Sequence, residues 1–162
     1  MLRYRHAFSL IELLIVIAVI GLLASVVFVF LGNTRYKARD AKRKFDIGQV
    51  GKYIFLGNCY VPTSGFGEYD LMDIMDELKM TYPQAQILPN IKDPKSGTET
   101  ESMYRYHVIA VDKCIVYANL ENEEEPVTLL GLSAPEAGKG SGVLVGTGLG
   151  VNGTHIYYQY GK

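Results

Sequence analysis

Apolar residues run almost unbroken over positions 8–31, and a single acid, Glu12, interrupts them. Positions 13–31 are 19 uncharged residues, about the number a helix needs to cross the hydrocarbon core of a bilayer. Proline is absent here and from the segment that follows, so one helix is predicted to continue through positions 33–56. Along that continuation Ala38, Ala41 and Phe45 share one side, while Ile47, Val50 and Ile54 form a second apolar stripe on a different side. The shift predicts a helix that changes what it packs against, from other helices to its own domain. Gly48 and Gly51 each weaken a helix by about 1 kcal/mol relative to Ala, and Gly57-Asn58 is a plausible terminator.

Beyond residue 58 the period changes. Pro62-Thr63-Ser64-Gly65 reads as a loop. Over 69–80, Leu71, Ile74, Met75 and Leu78 fall on one helical face and Asp70, Asp73, Asp76 and Glu77 largely off it, which predicts a short amphipathic helix. Pro83, Pro89 and Pro94 keep the next stretch irregular. Segments 103–111 and 114–120 are rich in Tyr, Ile and Val and flank Asp112-Lys113, a connection suited to a hairpin. In the second of them Cys114, Val116, Ala118 and Leu120 share the face expected to pack on the helix. A third strand is predicted over 154–160, paired either with 142–145 or with the edge of the hairpin. Residues 131–153 are glycine-rich and read as a flexible surface loop.

Charge and length refine this picture. At 162 residues the chain has the size of one domain, and 16 basic against 17 acidic residues leave no global field to attract nucleic acid or an acidic partner. The apolar run exceeds the ~7–15 residues of a conventional secretory signal. Arg3 and Arg5 precede it, whereas Arg35, Lys37, Arg39, Lys42, Arg43 and Lys44 follow it, so basic-residue counting alone would place the C-terminal domain in the cytoplasm. Asp40 and Asp46 interleave with that basic cluster, which reads as a solvated helix face with i, i+3 and i, i+4 pairs. DNA binding would need aromatic interleaving and a single sign of charge, and the cluster offers neither. Glu12 is the costly residue, on the order of 3 kcal/mol at a bilayer centre and less near its edge, and is therefore a functional candidate.

The residues around Glu12 carry a specific resemblance. A short basic leader followed by Ala7-Phe8-Ser9-Leu10-Ile11-Glu12-Leu13-Leu14 resembles the class III signal of type IV pilins and of type II secretion pseudopilins. Ala7 stands where Gly is usual and Ser9 where Thr is usual. The resemblance implies cleavage by a prepilin peptidase between Ala7 and Phe8, N-methylation of Phe8, and pairing of Glu12 with the Phe8 amine of a neighbouring subunit during assembly. A buried carboxylate does need a charged, hydrogen-bonded partner, and pairing across subunits would also set register. The stretch Ala38-Arg39-Asp40-Ala41-Lys42-Arg43, the Asp93-Pro94 loop, Tyr104-Arg105-Tyr106 and the run from Tyr117 to Glu121-Asn122 are likewise similar to small bacterial pilins.

On this resemblance the expected fold is α+β and type IV pilin-like, with a long, partly transmembrane N-terminal helix packed on a small antiparallel sheet. Its parts would be a leader (1–7), a transmembrane and assembly half-helix (8–31), an amphipathic stem (32–57) and a globular region (58–162). The expected function is a structural, non-enzymatic subunit of a pilus-like filament. It would be single-pass in the cytoplasmic membrane with its domain outside, and later part of an extracellular filament or periplasmic pseudopilus. Its partners would be itself, other pilins, the peptidase, an assembly ATPase and a platform protein. A pseudopilin or minor pilin is the alternative, and a single-span anchored binding domain that never assembles is the remoter one.

The remaining chemistry is sparse. Cys59 and Cys114 can form one disulfide, contributing ~3–4 kcal/mol on the loop-entropy model, or remain two thiols with Cys114 a buried small hydrophobe. His6, His107 and His155 are far apart, and no zinc or hydrolase spacing occurs, so no metal, cofactor or catalytic residue is expected. Ala137-Gly138-Lys139-Gly140-Ser141 fails the spacing of a phosphate loop, because Ser133 stands where its first glycine would fall.

Overall fold

The computed structural model of the chain describes residues 9–55, 57–84 and 91–162, and the side chains of these segments other than 28–33. Helix α1 (Leu10–Ile54) is followed by strand β1 (Gly67–Asp70), helix α2 (Leu71–Thr81), and strands β2 (Arg105–Ala110), β3 (Lys113–Asn119), β4 (Gly142–Val145) and β5 (Ile156–Gly161). The strands form one antiparallel sheet in the order β1-β2-β3-β5-β4. This is the α+β arrangement that the resemblance implies, a long N-terminal helix with a small antiparallel sheet. The chain divides into two compact units, residues 1–36 and 37–162, and α1 contributes to both.

In the first unit α1 carries an 18-residue window, Leu10–Val27, long and apolar enough to cross a membrane, and none of it is buried. Its one hydroxyl, Ser25, is satisfied locally by donating to the Leu22 carbonyl at 2.7 Å.

The second unit has one main core. The stem residues Ile47, Val50 and Ile54 are buried with Tyr104, Tyr106, Val108, Cys114, Val116 and Ala118 from the sheet side, and Leu71, Ile74, Met75 and Leu78 close it from α2. The other stripe, Ala38, Ala41 and Phe45, is exposed, with Phe45 66% accessible. Both stripes therefore exist, and the domain uses only the second.

Local details differ from the sequence reading at the edges. The β2–β3 turn is Val111-Asp112, because Lys113 already pairs with Ala110. Strand β5 takes both of its predicted partners at once: Tyr158 lies opposite Ala118 of β3 and Val143 of β4. Strand β1 was not predicted; it is four residues long and ends at Asp70, whose carboxylate caps α2 by accepting from the Met72 N–H at 2.8 Å.

The two stem glycines are not equivalent. A Cβ on Gly48 would meet open space, whereas one on Gly51 would lie 2.2 Å from the Tyr160 ring. Gly51 thus lets β5 approach the helix, and Gly48 only weakens the helix. Gly48→Ala should stabilise the domain by up to about 1 kcal/mol. Gly51→Ala should destabilise it by about 1–3 kcal/mol through overpacking. Thermal unfolding of both variants in parallel checks this; equal shifts of the same sign would refute it.

Candidate functional site

Two places concentrate polar groups where the sequence is otherwise apolar or packed. The first is the start of α1. Ser9 precedes the helix, its backbone N–H donates to Glu12 Oε2 at 3.0 Å, and the Ile11 N–H donates to Ser9 Oγ at 3.3 Å. This reciprocal pair is a capping box, with the acid three residues after the cap. It matters because the first N–H groups of a helix have no partner inside the helix, and lipid supplies none. Glu12 therefore serves its own backbone. The Ser9-x-x-Glu12 spacing is itself the sequence signature of such a box. Ala7 and Phe8, the residues flanking the expected cleavage point, lie outside the described residues.

The second place is in the domain, around Arg43. Its side chain is fully buried. The guanidinium forks onto Asp93, Nε to Oδ2 at 2.7 Å and Nη2 to Oδ1 at 2.8 Å, and Nη1 donates to Asp40 Oδ1 and Glu121 Oε1, both at 2.7 Å. Glu121 is also gripped by Arg39 through two 2.7 Å bonds, with Lys95 at 3.3 Å. Asp40 accepts from the backbone N–H groups of Glu121 and Asn122, and Asp93 from those of Lys95 and Ser96. Asn152 closes the ring by donating to Asp93 Oδ2 at 3.0 Å and to the Asn119 carbonyl at 2.9 Å.

Electrostatics follow from this geometry. Burial works against the charge on Arg43, but the bonds to Asp93, Glu121 and Asp40 outweigh it and raise its pKa. Burial likewise opposes ionisation of Asp93, yet Arg43, the Ser96 and Lys95 amides and Asn152 bring its pKa down to about 2. Glu121, bonded by Arg39 against burial and then by Arg43, also falls to about 2. The clasp fastens the stem helix to the 93–96 loop, to the end of β3 and to the glycine-rich loop. Asp40 and Arg43 are thus buried, against the solvated face that their i, i+3 spacing suggests, whereas Lys42 does lie on a solvated side and pairs with Asp46 at 2.8 Å. The clasp draws on three separate stretches of the chain: Arg39, Asp40 and Arg43; the Asp93-Pro94 loop; and Glu121-Asn122.

The other sequence candidates fall as follows. Cys59 and Cys114 are joined by a disulfide, with Cα atoms 6.0 Å apart and a sequence separation of 55. It ties the segment after α1 to β3, and closing such a loop is worth about 4 kcal/mol on the chain-entropy model. His107 lies on β2 opposite Glu68 of β1 and Ile115 of β3, and His155 is exposed. Among the described residues no group of three His, Cys, Asp or Glu side chains could hold a metal ion. In the stretch 137–141 the Gly138 N–H is committed to the Lys162 carbonyl, and the Gly140 carbonyl accepts from Gln159. That backbone braces the sheet and offers no phosphate cradle. The glycine-rich region is likewise pinned, since Asn152 and Thr154 are buried and hydrogen-bonded to Asn119.

Comparison with known proteins bears on the N-terminus. No curated protein and no solved structure matches the chain. Residues 2–28 match the family model described as the prokaryotic N-terminal methylation motif, which covers the leader, Glu12 and the apolar half of α1. The chain therefore carries the class III signal of type IV pilins and pseudopilins, and its apolar N-terminal helix is the segment that signal introduces.

Proposed function

We propose that the chain is a structural subunit that polymerises into a type IV pilus-like filament through its N-terminal helix. The carrying observation is the apolar surface of Leu10–Val27, none of it buried, behind a methylation motif and with Glu12 as its single charge. Such a surface has two stable environments, a bilayer and a bundle of like helices. Before assembly it would sit in the cytoplasmic membrane with the domain outside. A prepilin peptidase would cut between Ala7 and Phe8, and the freed, methylated Phe8 amine of one subunit would pair with Glu12 of the next. The helices would then leave lipid for the filament core, driven by an assembly ATPase through a platform protein, with other pilins as further partners. The exposed Ala38, Ala41 and Phe45 stripe supports this reading, because the domain leaves this apolar side of the stem unpacked.

Intact mass and N-terminal sequencing of the protein from native membranes and from the sheared surface fraction test the proposal. Chains beginning at Phe8, recovered in the sheared fraction, are the expected result. Chains beginning at Met1 in the membrane alone would leave an uncut single-span anchor and overturn it.

A further inference from the structure

We propose that the face of the sheet turned away from α1 carries a binding site for a single neutral sugar ring, independent of how the chain is anchored or assembled. A pocket of about 210 Å³ opens there over Tyr117 of β3 and Tyr157 of β5, rings whose centroids lie 6.4 Å apart in an edge-on arrangement. That volume is below the roughly 300 Å³ at which drug-sized sites begin, and so suits one ring.

The walls are built features. The loop after β4 lies on the sheet because two of its glycines lack a Cβ. One on Gly150 would fall 2.2 Å from the Asn119 side chain, and one on Gly146 would fall 2.8 Å from the Tyr157 ring. Asn119 Oδ1 holds the loop by accepting from the Asn152 N–H at 2.7 Å, and Tyr157 Oη donates to the Gly148 carbonyl at 3.1 Å. Held so, the loop raises Leu149 and Val151 beside the pocket, 66% and 53% exposed, with no packing role to account for them. The opposite wall is Met103, at φ 63, a left-handed conformation unfavourable for a side chain of this kind. Asp70 enforces it by accepting from the Ser102 and Met103 N–H groups at 2.9 and 3.1 Å. Strain of this sort is retained where the position of a side chain matters.

The chemistry of the mouth selects the ligand. Arg105 lines the pocket, and the carboxylates nearest its guanidinium, Asp70 and Glu101, stand at 3.8 and 4.0 Å, beyond hydrogen-bond distance. Glu68 supplies acceptors on the same rim. Of the charged groups lining the pocket, an anion would meet Glu68 and a cation would meet Arg105. A neutral ring with one apolar face and a circle of hydroxyls satisfies both donor and acceptor while covering the Tyr and Leu surfaces.

The test is saturation-transfer NMR on the full chain, held in a detergent without a sugar headgroup, with methyl glucoside, galactoside and mannoside as probes. At least one should receive saturation. Leu149→Trp, which fills the mouth, and Arg105→Met, which removes the donors, should each weaken its binding about tenfold or more with the thermal midpoint unchanged. The proposal is overturned if no pyranoside receives saturation, if both variants bind as the parent does, or if cyclohexanol, glucuronate or choline binds better than every pyranoside.

Discussion

Arg43→Met should lower the unfolding free energy of the domain by about 3–5 kcal/mol, the usual cost of removing one partner from a buried ionic cluster. The substitution keeps much of the volume of the side chain but leaves Asp93 and Asp40, 2% and 1% exposed, without their guanidinium. Arg43→Lys should recover little, because one ammonium cannot fork onto Asp93 and also reach Asp40 and Glu121. The pH dependence separates this mechanism from simple loss of packing. In the parent chain the folded pKa values of Asp93 and Glu121 are depressed to about 2, below their ordinary 3.8 and 4.5. Their contribution is fully present above those ordinary values and is lost as pH falls from about 4.5 towards 2. For Asp93 alone the shift corresponds to about 2 kcal/mol; the two groups share Arg43, so their contributions do not add. In Arg43→Met, burial without a cation disfavours the charged carboxylate. Glu121 keeps Arg39 and its part of the slope, whereas Asp93 loses its main lowering partner, so the variant should lose less stability on acidification than the parent does. Chemical denaturation followed by tyrosine signals across that pH interval measures both slopes, and parallel slopes would show that the clasp acts by shape alone.

The clasp also shows where sequence reasoning stops. Ile47, Val50 and Ile54 were legible as a buried stripe because a helix repeats every few residues, so the pattern is local. The strands were legible for the same reason. Asp40 and Arg43 give the opposite lesson: their i, i+3 spacing is the signature of a solvated pair, and that bond does form. What buries them is a set of partners 50 to 82 positions away, Asp93, Glu121 and Asn122, which no local pattern couples to the helix. The glycine-rich segment misled similarly. Gly146 and Gly150 look like a flexible tether in sequence, and their role becomes visible only once Tyr157 and Asn119 lie beneath them. Strand β1 was too short to stand out beside the helix that Asp70 caps. At the other end of the chain, the functional weight placed on Glu12 concealed its plain structural role as the second half of a capping box.

That double role of Glu12 makes its substitutions the sharpest test of assembly. Glu12→Ala removes both the charge and the bond to Ser9, whereas Glu12→Gln removes the charge but keeps an oxygen able to accept from the Ser9 N–H. If pairing with a neighbouring Phe8 amine is the function, both variants should fail to appear in the sheared filament fraction. A lost buried ionic partner worth about 3 kcal/mol or more corresponds to over a hundredfold in each addition step. Both should remain in the membrane at parental levels, since removing a charge from an apolar segment favours its residence there. The Ala variant should in addition show a frayed helix start, a loss of about 1 kcal/mol seen as faster amide exchange at Ser9 and Ile11. Filament yield separates the two roles: normal filaments from Glu12→Gln but not from Glu12→Ala would mean that the acid acts through the cap, and that the charge pairing proposed for assembly does not operate in this subunit.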